Sequence, residues 1–253
     1  MTHQIDLNSD LGESLGPWKM ASDEASMPLI TSANIACGFH AGDPDAMQSA
    51  VELAVGHRVR VGAHPGFQDL VGFGRREMTL TKSEIKNLVL YQVGALEAFA
   101  RSQGARLTHV KPHGALYNLA ARDSGRADAV AEAVAEFDDR LVLVGLANSE
   151  LIASAKRFGL RAANEVFADR NYEPDGSLTP RDSANGLVKD AGEAADRVLR
   201  MVREGRVLST CGSDVAITAE TVCVHSDTPG AVEFARAVRT ILESNGVAIL
   251  PFA

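Results

Sequence analysis

Aromatic residues are scarce in this 253-residue chain, at 5%. Cysteine is scarcer still. Cys37, Cys211 and Cys223 form no CxxC pair, and so odd and sparse a set fits a reducing cytoplasm better than a disulfide scaffold. No stretch approaches the roughly 20 apolar residues of a membrane-spanning helix, so no membrane association is expected. Met1-Thr2-His3-Gln4 leads directly into a strand-like run, without the basic and apolar regions of a secretory leader. Positive charge is not in excess either: 25 Lys+Arg face 33 Asp+Glu, a formal charge of −8, with no Lys/Arg cluster. That balance argues against a phosphate-backbone surface, so no nucleic acid is expected as a partner. Neither GxxxxGK[ST] nor a GxGxxG following a strand occurs, so the familiar nucleotide-binding loops are missing.

What remains is an ordinary globular balance, 45% apolar and 23% charged. The length suits one β/α barrel of about 250 residues. No linker or internal repeat divides residues 1–253, so a single domain is expected. Short β-branched or apolar runs fall at 5–8, 33–37, 59–63, 107–110, 141–146, 162–167 and 221–224. Helical periodicity fills most of the intervals. Asp43 caps a helix opening at Pro44, and Thr81 with Glu84 reads as a capping box for a helix that stops at Gly104. Another helix runs from Val188 to near Gly205; Thr228-Pro229 opens the last one and Gly246 closes it. Such alternation implies parallel strands joined by crossover helices, either as an open doubly wound sheet or as a closed barrel. Seven strands without a dinucleotide fingerprint favour the barrel, with an irregular or missing eighth strand. Residues 206–218 break the alternation and read as a small hairpin.

Polar residues able to do chemistry sit just after nearly every predicted strand. In a parallel barrel those strand ends gather at one mouth, where active sites form. Asp6, Asn8 and Asp10 share one strand face, directed at the barrel axis, and Glu13 follows them. An aspartate in a buried strand is costly unless paired, hydrogen-bonded or metal-bound, and Asp6 reads equally well as a structural residue. Of the seven histidines, His40, His64, His113 and His225 follow strand ends, whereas His3, His57 and His109 read as structural or surface residues. Four imidazoles so placed, opposite acids, point to a functional cluster. Asp10, His40, His64 and His113 have the ligand chemistry of an open divalent-metal site, yet the same four could bind substrate and move protons without metal. Lys111 closes a strand at the same mouth, and Glu165, Asp169 and Arg170 follow the sixth strand. Arg75, after Gly72-Phe73-Gly74, can hold a carboxylate bidentately.

The segments also match as a set. Asp6-Leu7-Asn8 through Asp10, Gly12 and Glu13 opens the chain, followed by Ala33-Asn34-Ile35-Ala36-Cys37-Gly38-Phe39-His40-Ala41-Gly42-Asp43. Gly62-Ala63-His64-Pro65-Gly66-Phe67, Gly72-Phe73-Gly74-Arg75-Arg76 and Lys111-Pro112-His113-Gly114-Ala115-Leu116-Tyr117-Asn118 come next. Glu165-Val166-Phe167-Ala168-Asp169-Arg170 and Val222-Cys223-Val224-His225 complete the series. In this order, across nearly its whole length, the chain resembles the LamB/YcsF family. Gln68 stands where proline is expected, and Ser226 follows His225 where glycine is expected; the second departure alters the turn between His225 and Asp227.

The resemblance implies an irregular seven-stranded TIM-like β/α barrel of the glycoside hydrolase/deacetylase type. It implies an ATP-dependent 5-oxoprolinase activity, opening the lactam of 5-oxo-L-proline to L-glutamate together with partner subunits B and C. A lactam is a resonance-stabilised amide, and ATP as co-substrate can activate its oxygen. Because no ATP loop is visible here, B and C are expected to carry the phosphoryl transfer while this chain positions and hydrolyses the lactam. Asp6 or Asp10 would then be the general base, and His40, His64 and His113 would stabilise the oxyanion, directly or through a divalent metal. Lys111 or Arg170 would neutralise a carboxylate or phosphate. Glu165 and Asp169 would serve the departing nitrogen, and Asn8, Glu13, Arg75 and His225 would complete the substrate contacts. Two other classes stand beside this one: a stand-alone metal-dependent amidase or deacetylase, and a non-catalytic scaffold protein of the same complex. Self-association as a homo-oligomer is left open by the sequence.

Overall fold

In the computed structural model, which describes residues 3–20, 23–224 and 230–252, seven parallel strands close on themselves. The elements run β1 (Gln4–Leu11), α1 (Asp23–Ser26), a 3₁₀ turn (Met27–Leu29), β2 (Ser32–Ala36), α2 (Pro44–His57), β3 (Arg60–His64) and α3 (Lys82–Ser102). They continue with β4 (His109–Val110), α4 (Gly114–Arg122), α5 (Ser124–Phe137), β5 (Val142–Leu146), α6 (Glu150–Arg157) and β6 (Arg161–Phe167). The last elements are α7 (Ala191–Glu204), β7 (Arg206–Leu208), β8 (Asp214–Ala216), β9 (Thr221–Cys223), α8 (Ala231–Ser244) and β10 (Ala248–Ile249). Strands β1 to β6 pair in sequence order, and β9 bridges β6 back to β1. The irregular seven-stranded barrel expected from the alternation is the architecture found. Strand β10 stands where an eighth strand would begin. It meets β1 only at Gln4 and Ile5, below the β9 pairing that starts at Asp6. Strands β7 and β8 form the anticipated antiparallel hairpin outside the barrel.

Local chemistry accounts for the helix ends. The Asp43 carboxylate accepts the Ala46 amide at 2.8 Å, with Pro44 in the first turn. Thr81 and Glu84 exchange the two bonds of a capping box. Helix α7 opens later than its periodicity suggested: Asp190 caps it through the Glu193 amide, and Val188 is a buried loop residue. The expected start of the last helix at Thr228-Pro229 lies outside the described residues.

The outward strand faces, among them Leu7, Ile35, Val110, Leu143 and Val166, pack on Val51, Val89, Leu96 and Val198 from the helices. Each such side chain removed from water contributes about 1.5–3 kcal/mol. Inside the barrel, Val142, Val144 and Ala163 form a small apolar cluster, with Phe252 against them. The Phe252 ring also meets His109 edge-on at 5.2 Å, so the end of the chain plugs the barrel floor. The inward positions nearest the axis on the other strands are largely polar or glycine, and that asymmetry builds the site. Among the described residues, no helix is long and apolar enough to cross a membrane.

Candidate active site

The barrel interior is a stack of hydrogen-bonded polar layers. At the bottom, Asp6 accepts from the hydroxyls of Thr31 at 2.7 Å, Ser32 at 2.6 Å and Thr221. Burial drives its pKa up to about 6, against those hydroxyl bonds. Asp6 therefore does not reach the mouth. It precedes Asp10 by four strand residues, roughly 13 Å along the chain, and both its oxygens are taken. Its place below the mouth and its three hydroxyl partners fit the structural reading of Asp6 better than the general-base one.

One layer up, Asn8 donates to Glu165 at 3.0 Å and to Thr221 at 2.6 Å, and accepts from Asn34 at 2.8 Å. His109 fills the axis beside them, 2.8 Å from the Asn34 amide oxygen, and burial pulls its pKa down to about 3. Gly62 makes this possible, because a Cβ there would lie 2.0 Å from the His109 ring. Above this sits Lys111, 2% exposed, with its ammonium 2.9 Å from Asp10 and 2.8 Å from Glu165. Burial works against that charge, but Asp10 leads the neighbours that outweigh it, and the pKa stays well above the usual lysine range. Tyr117 donates to the other Glu165 oxygen at 2.7 Å.

The top layer is carboxylate and imidazole. His64 Nδ1 lies 2.7 Å from the Lys111 carbonyl oxygen, and His113 Nε2 lies 2.8 Å from that of Phe73. A carbonyl can only accept, so both nitrogens carry protons and both tautomers are fixed. The other ring nitrogens, His64 Nε2 and His113 Nδ1, then face each other at 3.0 Å. Asp10 Oδ2 is 3.3 Å from the first, and Glu13 Oε1 is 3.7 Å from the second. His40 stacks on His113 with ring centroids 3.7 Å apart, and its Nε2 is 3.5 Å from Glu13. Burial holds His40 and His113 well below the ordinary imidazole pKa, so both are neutral near pH 7. Gly114, at φ +54, turns the chain from His113 into α4, and a Cβ there would collide with the Gly74 carbonyl.

Two lone pairs pointed at each other require a proton or a cation between them. Among the described residues, ligand atoms of Glu13, His40, His64 and His113 lie within 4.8 Å of one another. Neither ring nitrogen of His40 makes a hydrogen bond. Imidazoles locked by backbone carbonyls beside a carboxylate are the donor set of a zinc-type site, and the residues fit such an ion. The sequence placed Asp10 in that group. In the structure Glu13 joins the three histidines, while Asp10 Oδ1 is held by Lys111 and Asn34.

A cleft of about 910 Å³ opens above these layers, lined by Asp10, Glu13, His64, Lys111, His113 and Arg170 among others. Arg75 is on the same wall, its guanidinium 4.9 Å above the Phe73 ring. Arg76 instead pairs with Asp69, which is thereby held down to about 2. Asp169 is buried near enough to Arg170 to favour its charge, and His225 lies outside the described residues. Cys37 is packed under the mouth, donating to the Ile35 carbonyl, and burial pushes its thiol up to about 12. Asn34, Tyr117 and Cys223, the last 3.1 Å from the Lys111 ammonium, were not singled out from sequence. A signal existed for two of them: Asn34 is the lone amide in an apolar strand, and Tyr117 stands one helical turn after His113.

Fold and site together define a closed parallel β/α-barrel protein with a carboxylate–imidazole cleft at the C-terminal strand ends. The LamB/YcsF family model matches residues 5–253, and the chain belongs to that family. It is 51% identical to the 5-oxoprolinase A subunit of Oceanobacillus iheyensis over 249 residues, 98% of this chain and 97% of that one. It is 55% identical to the 5-oxoprolinase A subunit of Bordetella parapertussis, over 98% of this chain and 99% of the relative. The crystal structure of a lactam utilization protein from Thermus thermophilus superposes with a TM-score of 0.93 at 50% identity, covering 98% of this chain and 100% of that one.

Proposed function

We propose that this chain opens the lactam of 5-oxo-L-proline to L-glutamate within a cytoplasmic ATP-dependent 5-oxoprolinase, with partner subunits B and C activating the lactam. Full-length relatives named as the A subunit of 5-oxoprolinase support the substrate and the existence of other subunits. The missing nucleotide loop supports giving phosphoryl transfer to the partners. There the lactam oxygen attacks the terminal phosphorus of ATP, and ADP leaves. In this chain's cleft, water adds to the activated ring carbon and gives up a proton. The carbon–nitrogen bond then breaks and the nitrogen takes up a proton, leaving an acyl phosphate that a further water cleaves to glutamate and inorganic phosphate.

The observation that carries this reading is the pair of fixed tautomers at the mouth. His64 and His113 spend one N–H each on a backbone carbonyl and turn their other nitrogens to each other beside Asp10 and Glu13. Those two nitrogens can share a proton or bind a cation. Asp10, with one oxygen tied to Lys111 and the other beside His64, is the general base for water. Lys111 contributes positive charge under the reacting carbon. Tyr117 and Glu165 form the proton path toward the departing nitrogen. A divalent ion held by Glu13, His40, His64 and His113 would supply Lewis-acid stabilisation of the oxyanion.

The test is glutamate release from 5-oxoproline and ATP by the reconstituted complex. Asp10→Asn is expected to lower it at least a hundredfold, on the order of a lost general base, with assembly intact; full activity would overturn the assignment. A second reading, a metal-dependent amidase acting alone, is favoured by the metal-capable cluster. Turnover of N-acyl substrates by the isolated chain with stoichiometric metal would establish it over the first.

A further inference from the structure

We propose that His109 and Asn34 are positioning residues for the reaction: together they hold Asp10 in the orientation that turns one carboxylate oxygen toward the mouth. This rests on the reading of Asp10 as the general base, and it adds how that base is aimed.

The direction of each hydrogen bond follows from the acid outward. Asp10 Oδ1 lies 2.9 Å from the Lys111 ammonium and 2.8 Å from the side-chain amide of Asn34. A carboxylate oxygen facing an ammonium accepts, so Asn34 must turn its amide nitrogen to Asp10. The same nitrogen donates to Asn8 Oδ1 at 2.8 Å. The Asn34 amide oxygen is thereby sent the other way, 2.8 Å from His109 Nε2, and that ring nitrogen must carry a proton. Burial keeps the imidazole neutral, so Nδ1 has only a lone pair to offer. The Thr108 hydroxyl, 2.9 Å away, must therefore donate to Nδ1 rather than to the Val61 carbonyl at 3.1 Å. Thr108, His109 and Asn34 donate one to the next, and the series ends on Asp10. A proton on Nδ1 alone would leave a bare Nε2 against the Asn34 oxygen. Flipping the amide to relieve that contact would press its oxygen against those of Asn8 and Asp10.

The surroundings hold the ring for this task. Phe252 meets it edge-on from the floor, and Gly62 leaves it room at the side. Both His109 and Asn34 are fully buried. A buried imidazole and amide carry a desolvation cost that aliphatic side chains would avoid. Val142, Val144 and Ala163 show that the barrel interior accepts such side chains. What the polar pair supplies is a donor to Asp10 Oδ1 besides Lys111. A single donor permits the carboxylate to turn about its Cβ–Cγ bond, whereas two converging donors fix its plane. Oδ2 then stands at the mouth, 3.3 Å from His64 Nε2. Aim matters there, since a misplacement of about 1 Å can cost about a hundredfold in rate.

Steady-state glutamate release by the reconstituted complex, with His109→Phe and His109→Gln, tests the pair. Phenylalanine keeps a ring on the axis but cannot donate. Glutamine loses the ring but keeps an N–H for the Asn34 oxygen. In His109→Phe, kcat is expected to fall about tenfold or more with KM nearly unchanged, the signature of a misaimed reacting group. In His109→Gln, kcat should recover to within about threefold of the wild type, because the donor is restored. The opposite order would mean that the ring only fills space, and it would overturn the proposal, as would equal losses in both variants. If His109→Phe does not fold, Thr108→Val keeps the ring and removes only the hydroxyl that donates to Nδ1. A kcat lowered about threefold at unchanged KM supports the relay, and an unchanged kcat overturns it. Independently of turnover, ¹⁵N NMR of the isolated wild-type chain should show a neutral His109 protonated on Nε2; a proton on Nδ1 alone would overturn the proposal. A wild-type complex that releases no glutamate would instead defeat the functional reading, and the tautomer of His109 would still decide the direction of the relay.

Discussion

Removing the buried ammonium of Lys111 tests how the barrel tolerates acids along its axis. In Lys111→Met, Asp10 and Glu165 lose a cation that stood 2.9 and 2.8 Å away, with all three groups nearly inaccessible to water. Deleting one partner of a buried ion pair costs about 3–5 kcal/mol, because the remaining charge is left uncompensated. Two carboxylates are stranded here, which places the expected loss in the upper part of that range. The pH dependence has a definite sign. In the wild type the lysine pKa is raised, so its contribution is complete below the ordinary lysine pKa of about 10.4 and is lost only as pH rises through the higher folded value. It is therefore constant across roughly pH 5 to 8. In the variant, a stranded carboxylate takes up a proton in the folded state. The folded form then binds more protons than the unfolded form, and stability falls as pH rises. Urea denaturation at a series of pH values reads both effects. A loss below about 1 kcal/mol, or a variant whose stability does not fall relative to the wild type as pH rises, would refute the reasoning.

Gly62→Ala puts a Cβ 2.0 Å from the His109 ring, and overpacking of this kind costs at least the usual ~1–3 kcal/mol; an unchanged thermal midpoint would contradict the packing described. Asp6, raised to about 6, is more protonated folded than unfolded between its ordinary value and 6, so wild-type stability should fall relative to Asp6→Asn as pH rises through that interval. Parallel urea curves for the two proteins would exclude it. The isolated chain should bind zinc stoichiometrically in a calorimeter, and Glu13→Gln should weaken binding by about 10-fold or more, on the order seen for lost metal partners; equal affinity would remove Glu13 from the cluster.

Much of this was legible in the residues. Strand–helix alternation and the lack of a dinucleotide fingerprint led to the seven-stranded barrel, and polar residues after strand ends led to its mouth. The period-two reading of Asp6, Asn8 and Asp10 correctly put all three on the inner face. It could not give depth along the axis, and depth separates Asp6 on the floor from Asp10 at the mouth. Glu13 was seen as a substrate contact, not as the carboxylate of the imidazole cluster, because it lies past the end of β1, where strand periodicity no longer fixes direction. The tautomers of His64 and His113 depend on the carbonyls of Lys111 and Phe73, and no side-chain pattern reports a carbonyl's direction. Helix α7 was placed too early because Val188 continues its apolar spacing, whereas the cap that decides the start is Asp190.

The most direct measurement is the protonation of individual imidazole nitrogens at the mouth, read by ¹⁵N NMR with each histidine assigned through His64→Gln and His113→Gln. Protons are expected on Nδ1 of His64 and Nε2 of His113, each held by its backbone carbonyl. A His64 protonated only on Nε2, or a His113 protonated only on Nδ1, would contradict it.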